Sequence, residues 1–178
     1  MVAAVPALAP LRLPLAAAAE SSRRQKRIER EIPVKTMRYL IALLALAGAA
    51  VSLLTLRVHY STGTEPCSIN DRWDCGIVNH SSFALIERVP VASIGIVGYL
   101  VLAGLAFGRQ RFLLFLAALI GLGFALRLTF IEEYVLQVWC LYCVISQAII
   151  AVITLLSLGW LTVEYIGLKR ARRAAKAQ

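Results

Sequence analysis

Charged side chains are scarce in this sequence. Only 16% of its 178 residues are Asp, Glu, Lys or Arg, while 60% are hydrophobic and the mean hydropathy is positive. A soluble domain of this length must cover its surface with polar groups and carries about a quarter charged residues. The shortfall excludes an ordinary water-soluble globule. A basic leader is missing as well: residues 1–19 hold Arg12 as their one charge and are broken by Pro6, Pro10 and Pro14. That composition argues against a secretory signal peptide and is read as a disordered tail or a mis-assigned start. Cysteine is limited to four residues, two in one loop, two at the very start of the last apolar block and none in either tail, and histidine to two. His59 and His80 stand singly in a loop and are read as solvated rather than as metal ligands.

What remains is organised in blocks. Apolar runs cover about Tyr39–Leu56, Val91–Phe107, Phe112–Ile131 and Cys140–Val163. Each is read as long enough to cross about 30 Å of hydrocarbon as a helix rising 1.5 Å per residue. Pro90 stands where the second helix begins, a position at which its missing N–H costs nothing. The expected fold class is therefore an all-α integral membrane protein, a four-transmembrane-helix bundle. Its parts are a basic N-terminal tail over residues 1–36, the membrane domain over 37–165 and a second basic tail over 166–178. Gly95, Gly98, Gly104, Gly121 and Gly123 lie in the second and third helices, where small residues let membrane helices approach closely.

The net charge of +9 would point to nucleic acid in a soluble protein, but its distribution argues for a bilayer. Thirteen of the 19 Lys and Arg residues precede the first block or follow the last. They include Arg23, Arg24, Lys26, Arg27, Arg30 and Lys35 at one end, in a stretch suited to a short interfacial helix. Lys169, Arg170, Arg172, Arg173 and Lys176 lie at the other. Arg109 and Arg111 make the short second connection basic, whereas Glu132 and Glu133 make the third acidic and the long Arg57–Val89 loop is mixed. Four crossings put every basic region on one side, so both termini are expected in the cytoplasm and the first and third loops in the periplasm. Arg127 is expected to snorkel outward toward Glu132 or Glu133.

All four cysteines then fall on the outer side. Cys67 and Cys75 lie in the long first loop, and Cys140-Leu-Tyr-Cys143 opens the fourth helix. An even count on an oxidising side implies disulfide chemistry. A helix N-terminus stabilises the thiolate that performs thiol exchange. A loop pair bordered by Ser68, Asn70, Asp71, Arg72 and Asp74 can meet a soluble partner and pass electrons to the pair nearer the lipid. Two other readings fit the same residues: two structural disulfides, or a four-thiolate zinc site, although Cys67 and Cys75 are spaced widely for a zinc knuckle. Asn79-His80-Ser81 matches a glycosylation acceptor, a triplet common by chance.

This order of cysteine pairs resembles the vitamin K epoxide reductase family over about residues 37–165. The bacterial DsbB proteins carry Cys-x-x-Cys in the first loop instead. The Cys67-x7-Cys75 spacing and the Ser93-Ile-Gly-Ile-Val-Gly-Tyr99 run resemble that family too. The resemblance implies a membrane thiol–disulfide oxidoreductase of the inner membrane in which Cys67 and Cys75 oxidise a periplasmic thioredoxin-fold (DsbA-like) protein. Electrons would pass to Cys140 and Cys143 and on to a quinone (ubiquinone, menaquinone or phylloquinone) from the membrane pool, with Cys143 beside the quinone and Ser93 assisting. It implies no metal and no nucleic-acid partner, and the fused thioredoxin-like domain of some bacterial members is not expected. Gln147 stands where animal epoxide reductases have tyrosine, which favours disulfide formation over vitamin K epoxide reduction. The resemblance leaves open which of Cys67 and Cys75 meets the partner.

Overall fold

The computed structural model describes residues 13–62 and 67–176. Helix α1 runs Leu13–Tyr60, α2 Cys75–His80, α3 Val91–Phe107, α4 Arg111–Ile131 and α5 Leu141–Lys176. The chain divides into a unit over residues 1–36 and a unit over 37–178. The expected disordered tail falls partly on residues 1–12, outside the described residues. Over Leu13–Ala19 the chain is helical instead, and the basic stretch expected as a short interfacial helix is helical as well. Ala16 to Ala19 and the Glu-, Arg- and Lys-rich run after them are strong helix formers, and no proline interrupts them before Pro33. The last helix likewise continues past residue 165 through the basic segment to Lys176.

Three helices are long and apolar enough to cross a membrane, over Lys35–Tyr60, Arg111–Leu136 and Leu141–Arg173, beside the shorter apolar Val91–Phe107. Leu43, Leu53, Val97, Ile120, Leu155 and Val163 are among many large apolar side chains turned outward. An apolar exterior on this scale is a lipid-facing one. The interior is lined by smaller residues, among them Ala42, Ala45, Ser52, Ala103, Ala106, Ala118 and Ser157, as expected where close packing rather than water drives association. Helix α4 packs along α3 and α5.

The glycines divide: a Cβ on Gly95 would lie 2.9 Å from Ser52 Oγ and one on Gly121 3.4 Å from the Ile150 side chain, the close approaches expected of them. A Cβ on Gly98, Gly104 or Gly123 would meet nothing within 4 Å, so these do not mark close approaches. Periodicity alone does not say which face of a helix meets a neighbour. The tightest of these contacts is at Gly48, where an added Cβ would lie 2.4 Å from the Tyr99 ring. Tyr99 is held there by donating its hydroxyl to the Ser146 carbonyl at 2.7 Å, and an aromatic ring cannot yield as a flexible chain end does. Gly48→Ala is expected to destabilise the bundle by about 1–3 kcal/mol through overpacking, read as a lower midpoint in thermal unfolding in detergent. A midpoint equal to that of the parent chain would refute it.

At one end of the bundle Arg111 pairs with Glu164 and lies over the buried Trp160 ring. The opposite end carries the irregular segments. A two-residue turn, Glu87-Arg88, joins the short strands β1 (Leu85–Ile86) and β2 (Val89–Pro90), registered Leu85 to Pro90 and Ile86 to Val89. Both turn residues have positive φ, as a tight hairpin requires. After α4, a wider turn continues over Glu132–Leu136 and ends at Gln137 in the left-handed conformation. That turn redirects the chain so that Val138 and Trp139 run back toward the first loop.

Candidate active site

The first loop is organised by short-range side-chain bonds. Asn70 accepts the backbone N–H groups of Arg72 and Trp73, both at 3.0 Å, which folds the polar stretch into a compact turn. Asp74 caps α2: its carboxylate accepts the Ile77 N–H at 3.1 Å and the Ser68 hydroxyl at 2.9 Å. Cys75 is therefore the first residue of a helix, and it is disulfide-bonded to Cys67 with the two Cα atoms 5.7 Å apart. That bond removes two of the four thiolates a zinc site would need.

The Ile77 N–H holds the Asp74 carboxyl below its ordinary 3.8, against the opposing effect of burial. A depressed folded-state value means the cap is fully present above the ordinary carboxylate range and is lost as pH falls through the lowered value. Asp74→Ala is expected to cost about 1 kcal/mol. The corresponding readout is faster proteolysis of the loop at neutral pH, with the parent chain reaching the same rate only in acid. Equal rates at neutral pH would overturn the assignment.

The second pair is stitched to the first by backbone. Trp139 donates its N–H to the Arg72 carbonyl at 2.8 Å, and its own carbonyl accepts the Asp74 N–H at 3.1 Å. The Trp73 and Trp139 rings lie 6.0 Å apart over this bridge. Glu133 reinforces it, accepting the Trp139 indole N–H at 2.9 Å and pairing with Arg72 at 3.7 Å. The residues just before Cys75 and Cys140 thus lie side by side, and both cysteines turn into the same buried cluster with Val58, Cys67 and Val78. The expectation that Arg127 reaches Glu132 or Glu133 is corrected, since Glu133 holds Arg72 and Glu132 accepts the Cys140 N–H at 3.2 Å.

Cys140 and Cys143 carry free thiols. Cys140 stands at the entrance of α5, its carbonyl accepting the Val144 N–H at 3.1 Å. Its sulfur accepts the Cys143 N–H at 3.4 Å and the Asn79 side-chain amide at 3.6 Å. The Cys143 thiol hydrogen bond, helped by that N–H and by Asn79, holds the Cys140 thiol below its ordinary value although burial opposes it. A thiol so supported is poised for exchange.

Asn79 was visible in the sequence only as part of a chance glycosylation triplet. It is buried and donates to the Cys75 carbonyl at 2.8 Å and to Cys140 Sγ. One signal could have found it: Asn79 lies four residues after Cys75, one helical turn away on the same face.

Beside this cluster is a cavity of about 470 Å³ with predominantly apolar walls. Cys143 and Glu132 reach it, and Ser52, Asn79, Tyr99 and Ser146 bring the main polar groups. Ser93 does not line it; Ala92, Ile94 and Gly95 of the same turn do, and Ser93 is half-buried on another face of α3. Gln147 is hydrogen-bonded by the Thr129 hydroxyl.

A family model described as vitamin K epoxide reductase family matches residues 39–158, a span containing the two cysteine pairs, the bridge between them and the cavity. The chain belongs to the vitamin K epoxide reductase family. Comparison with curated proteins finds no match. Membership makes this a multi-pass membrane protein with oxidoreductase chemistry, in a family associated with quinones. In this vitamin K epoxide reductase family member the apolar cavity beside a free thiol is of a size and character suited to the head of a quinone.

Proposed function

We propose that the chain is a quinone-dependent, disulfide-generating oxidoreductase of the inner membrane. It would cross the bilayer four times with both termini in the cytoplasm, oxidising a thioredoxin-fold partner in the periplasm. The observation that carries this reading is that Cys75 and Cys140 share one buried cluster while Cys143 opens onto the apolar cavity.

The exchange proceeds inward. Partner thiols reduce the Cys67–Cys75 bond. The Cys75 thiolate then attacks Cys140 Sγ of a Cys140–Cys143 disulfide, forming a Cys75–Cys140 bond and releasing Cys143 as thiolate. Cys67 next attacks Cys75 Sγ, which restores the loop disulfide and frees Cys140. A bonded loop pair beside free Cys140 and Cys143, the pairing found here, corresponds to the end of this exchange. The Asp74–Trp139 bridge favours Cys75 as the shuttle and leaves Cys67 to the partner. A quinone bound in the cavity supplies a two-electron, two-proton acceptor. The chain's own contribution there is an apolar wall, a thiol at Cys143, and hydrogen-bonding groups at Asn79, Ser52 and Tyr99; no role is assigned to Ser93.

The test is turnover. Full-length protein mixed with a reduced thioredoxin-fold partner should bleach the absorbance of ubiquinone, menaquinone or phylloquinone. Absence of turnover with all three would sink the reading. For topology, a membrane-impermeant maleimide added to reduced intact cells should label Cys67 and Cys143 from the periplasmic side. Labelling of the two from opposite faces would eliminate the four-crossing arrangement.

A further inference from the structure

Glu132 is the unexplained charge of this bundle. Its side chain is 3% exposed, it lies next to the cysteine cluster, and it lines the cavity. Its carboxylate accepts the Cys140 N–H at 3.2 Å and shares the cavity wall with Cys143. Among the described residues no cation pairs with it, and the nearby Arg72 is taken by Glu133. A buried carboxylate whose hydrogen-bond partner is a backbone amide is costly at the edge of a membrane. A glutamine would satisfy the Cys140 amide equally well. What distinguishes a carboxylate from an amide at this position is the ability to take and release a proton.

The chemistry beside it needs such a group. Closing the Cys140–Cys143 bond breaks two S–H bonds and releases two electrons and two protons. Both must reach the acceptor in a cavity with predominantly apolar walls, where bulk water is a poor carrier. Cys143 is the thiol at the cavity, and Glu132 lines the same cavity.

We infer that Glu132 is the proton relay of this site, taking the Cys143 thiol proton as the Cys140–Cys143 disulfide forms and delivering it to the acceptor's oxygen in the cavity. The inference rests on the function proposed above. The balance is closed: the dithiol becomes a disulfide, the quinone ends as hydroquinone with both electrons and both protons, and Glu132 is an anion again after each cycle. The Cys140 proton makes the same transfer as the second of the two. Bonded to the backbone of Cys140 and taking the thiol proton itself, Glu132 is a catalytic residue under this inference.

The test compares Glu132→Gln and Glu132→Asp with the parent full-length chain in detergent, using ubiquinone bleaching by a reduced thioredoxin-fold partner. Losing a positioned proton acceptor slows such a step by about 10²–10⁴-fold, so Glu132→Gln should lower kcat by at least about a hundredfold. Its exchange with the partner at Cys67–Cys75, followed by thiol mass-tagging without quinone, should stay within about threefold of the parent. Glu132→Asp, which keeps a carboxylate, should recover about tenfold or more over the glutamine variant. A Glu132→Gln protein that turns over at the parent rate overturns the relay while leaving the function standing. An aspartate variant as slow as the glutamine variant also overturns it, because the loss would then be one of packing. A parent chain that bleaches no quinone defeats the function, and the relay with it.

Discussion

Serine in place of Cys140 or of Cys143 is expected to abolish quinone-coupled disulfide formation, lowering the rate by at least about 10³-fold, since members of a catalytic unit each carry nearly its whole effect. The two positions fail differently. Without Cys140 the loop pair has no sulfur to attack within its own cluster, so electrons stop at Cys67 and Cys75. Without Cys143 no thiol faces the cavity, and electrons stop one step later. Serine is nearly isosteric, so either variant should remain folded and membrane-inserted, which separates lost chemistry from lost structure. The readout is disulfide formation in a secreted reporter, in cells lacking their own membrane oxidase. Reporter oxidation at the parent level by either variant would mean that the two disulfides brace the fold and nothing more.

The second large effect is a trap. The double variant Cys67→Ser/Cys143→Ser leaves Cys75 and Cys140 without their resolving partners, and most molecules should accumulate a Cys75–Cys140 disulfide. The Asp74–Trp139 and Arg72–Trp139 hydrogen bonds at 3.1 and 2.8 Å place the preceding residues side by side. Asn79 spans from the Cys75 carbonyl to Cys140 Sγ. Trypsin cuts after Arg72, Arg88, Arg127 and Lys169, so the product is a linked pair of peptides, residues 73–88 and 128–169, visible by mass spectrometry before reduction and absent after it. The companion variant Cys75→Ser/Cys143→Ser should link poorly. A companion that links as well or better would make Cys67 the shuttle and reverse the proposed order.

Much of the architecture was legible in the sequence because transbilayer helices are selected by a one-dimensional property. A run of apolar residues long enough for the hydrocarbon must become a helix, whatever its neighbours, since no other local structure satisfies its backbone. The block Val91–Phe107 therefore coincides with α3, and the third block begins within one residue of α4. Cysteine placement was equally readable, as four thiols gathered in one loop and at the start of the last apolar block leave few chemistries open. The helical course from Leu13 and the extension through the basic segment to Lys176 were not. Those stretches are polar, and only their helix propensity argued for order.

Residue order alone thus determined the membrane class, the helical blocks and the identity of the four sulfurs, because each follows from composition along the chain. Tertiary structure alone decided which sulfurs face each other, that Asn79 and Glu132 belong with them, that Gly48 rather than Gly98 is a close approach, and that Ser93 stands apart from the cavity. The reason is geometric. Asn79 and Cys140 are 61 residues apart, and their meeting depends on the left-handed turn at Gln137 and the Trp73–Trp139 bridge, backbone features that leave no periodic trace in sequence.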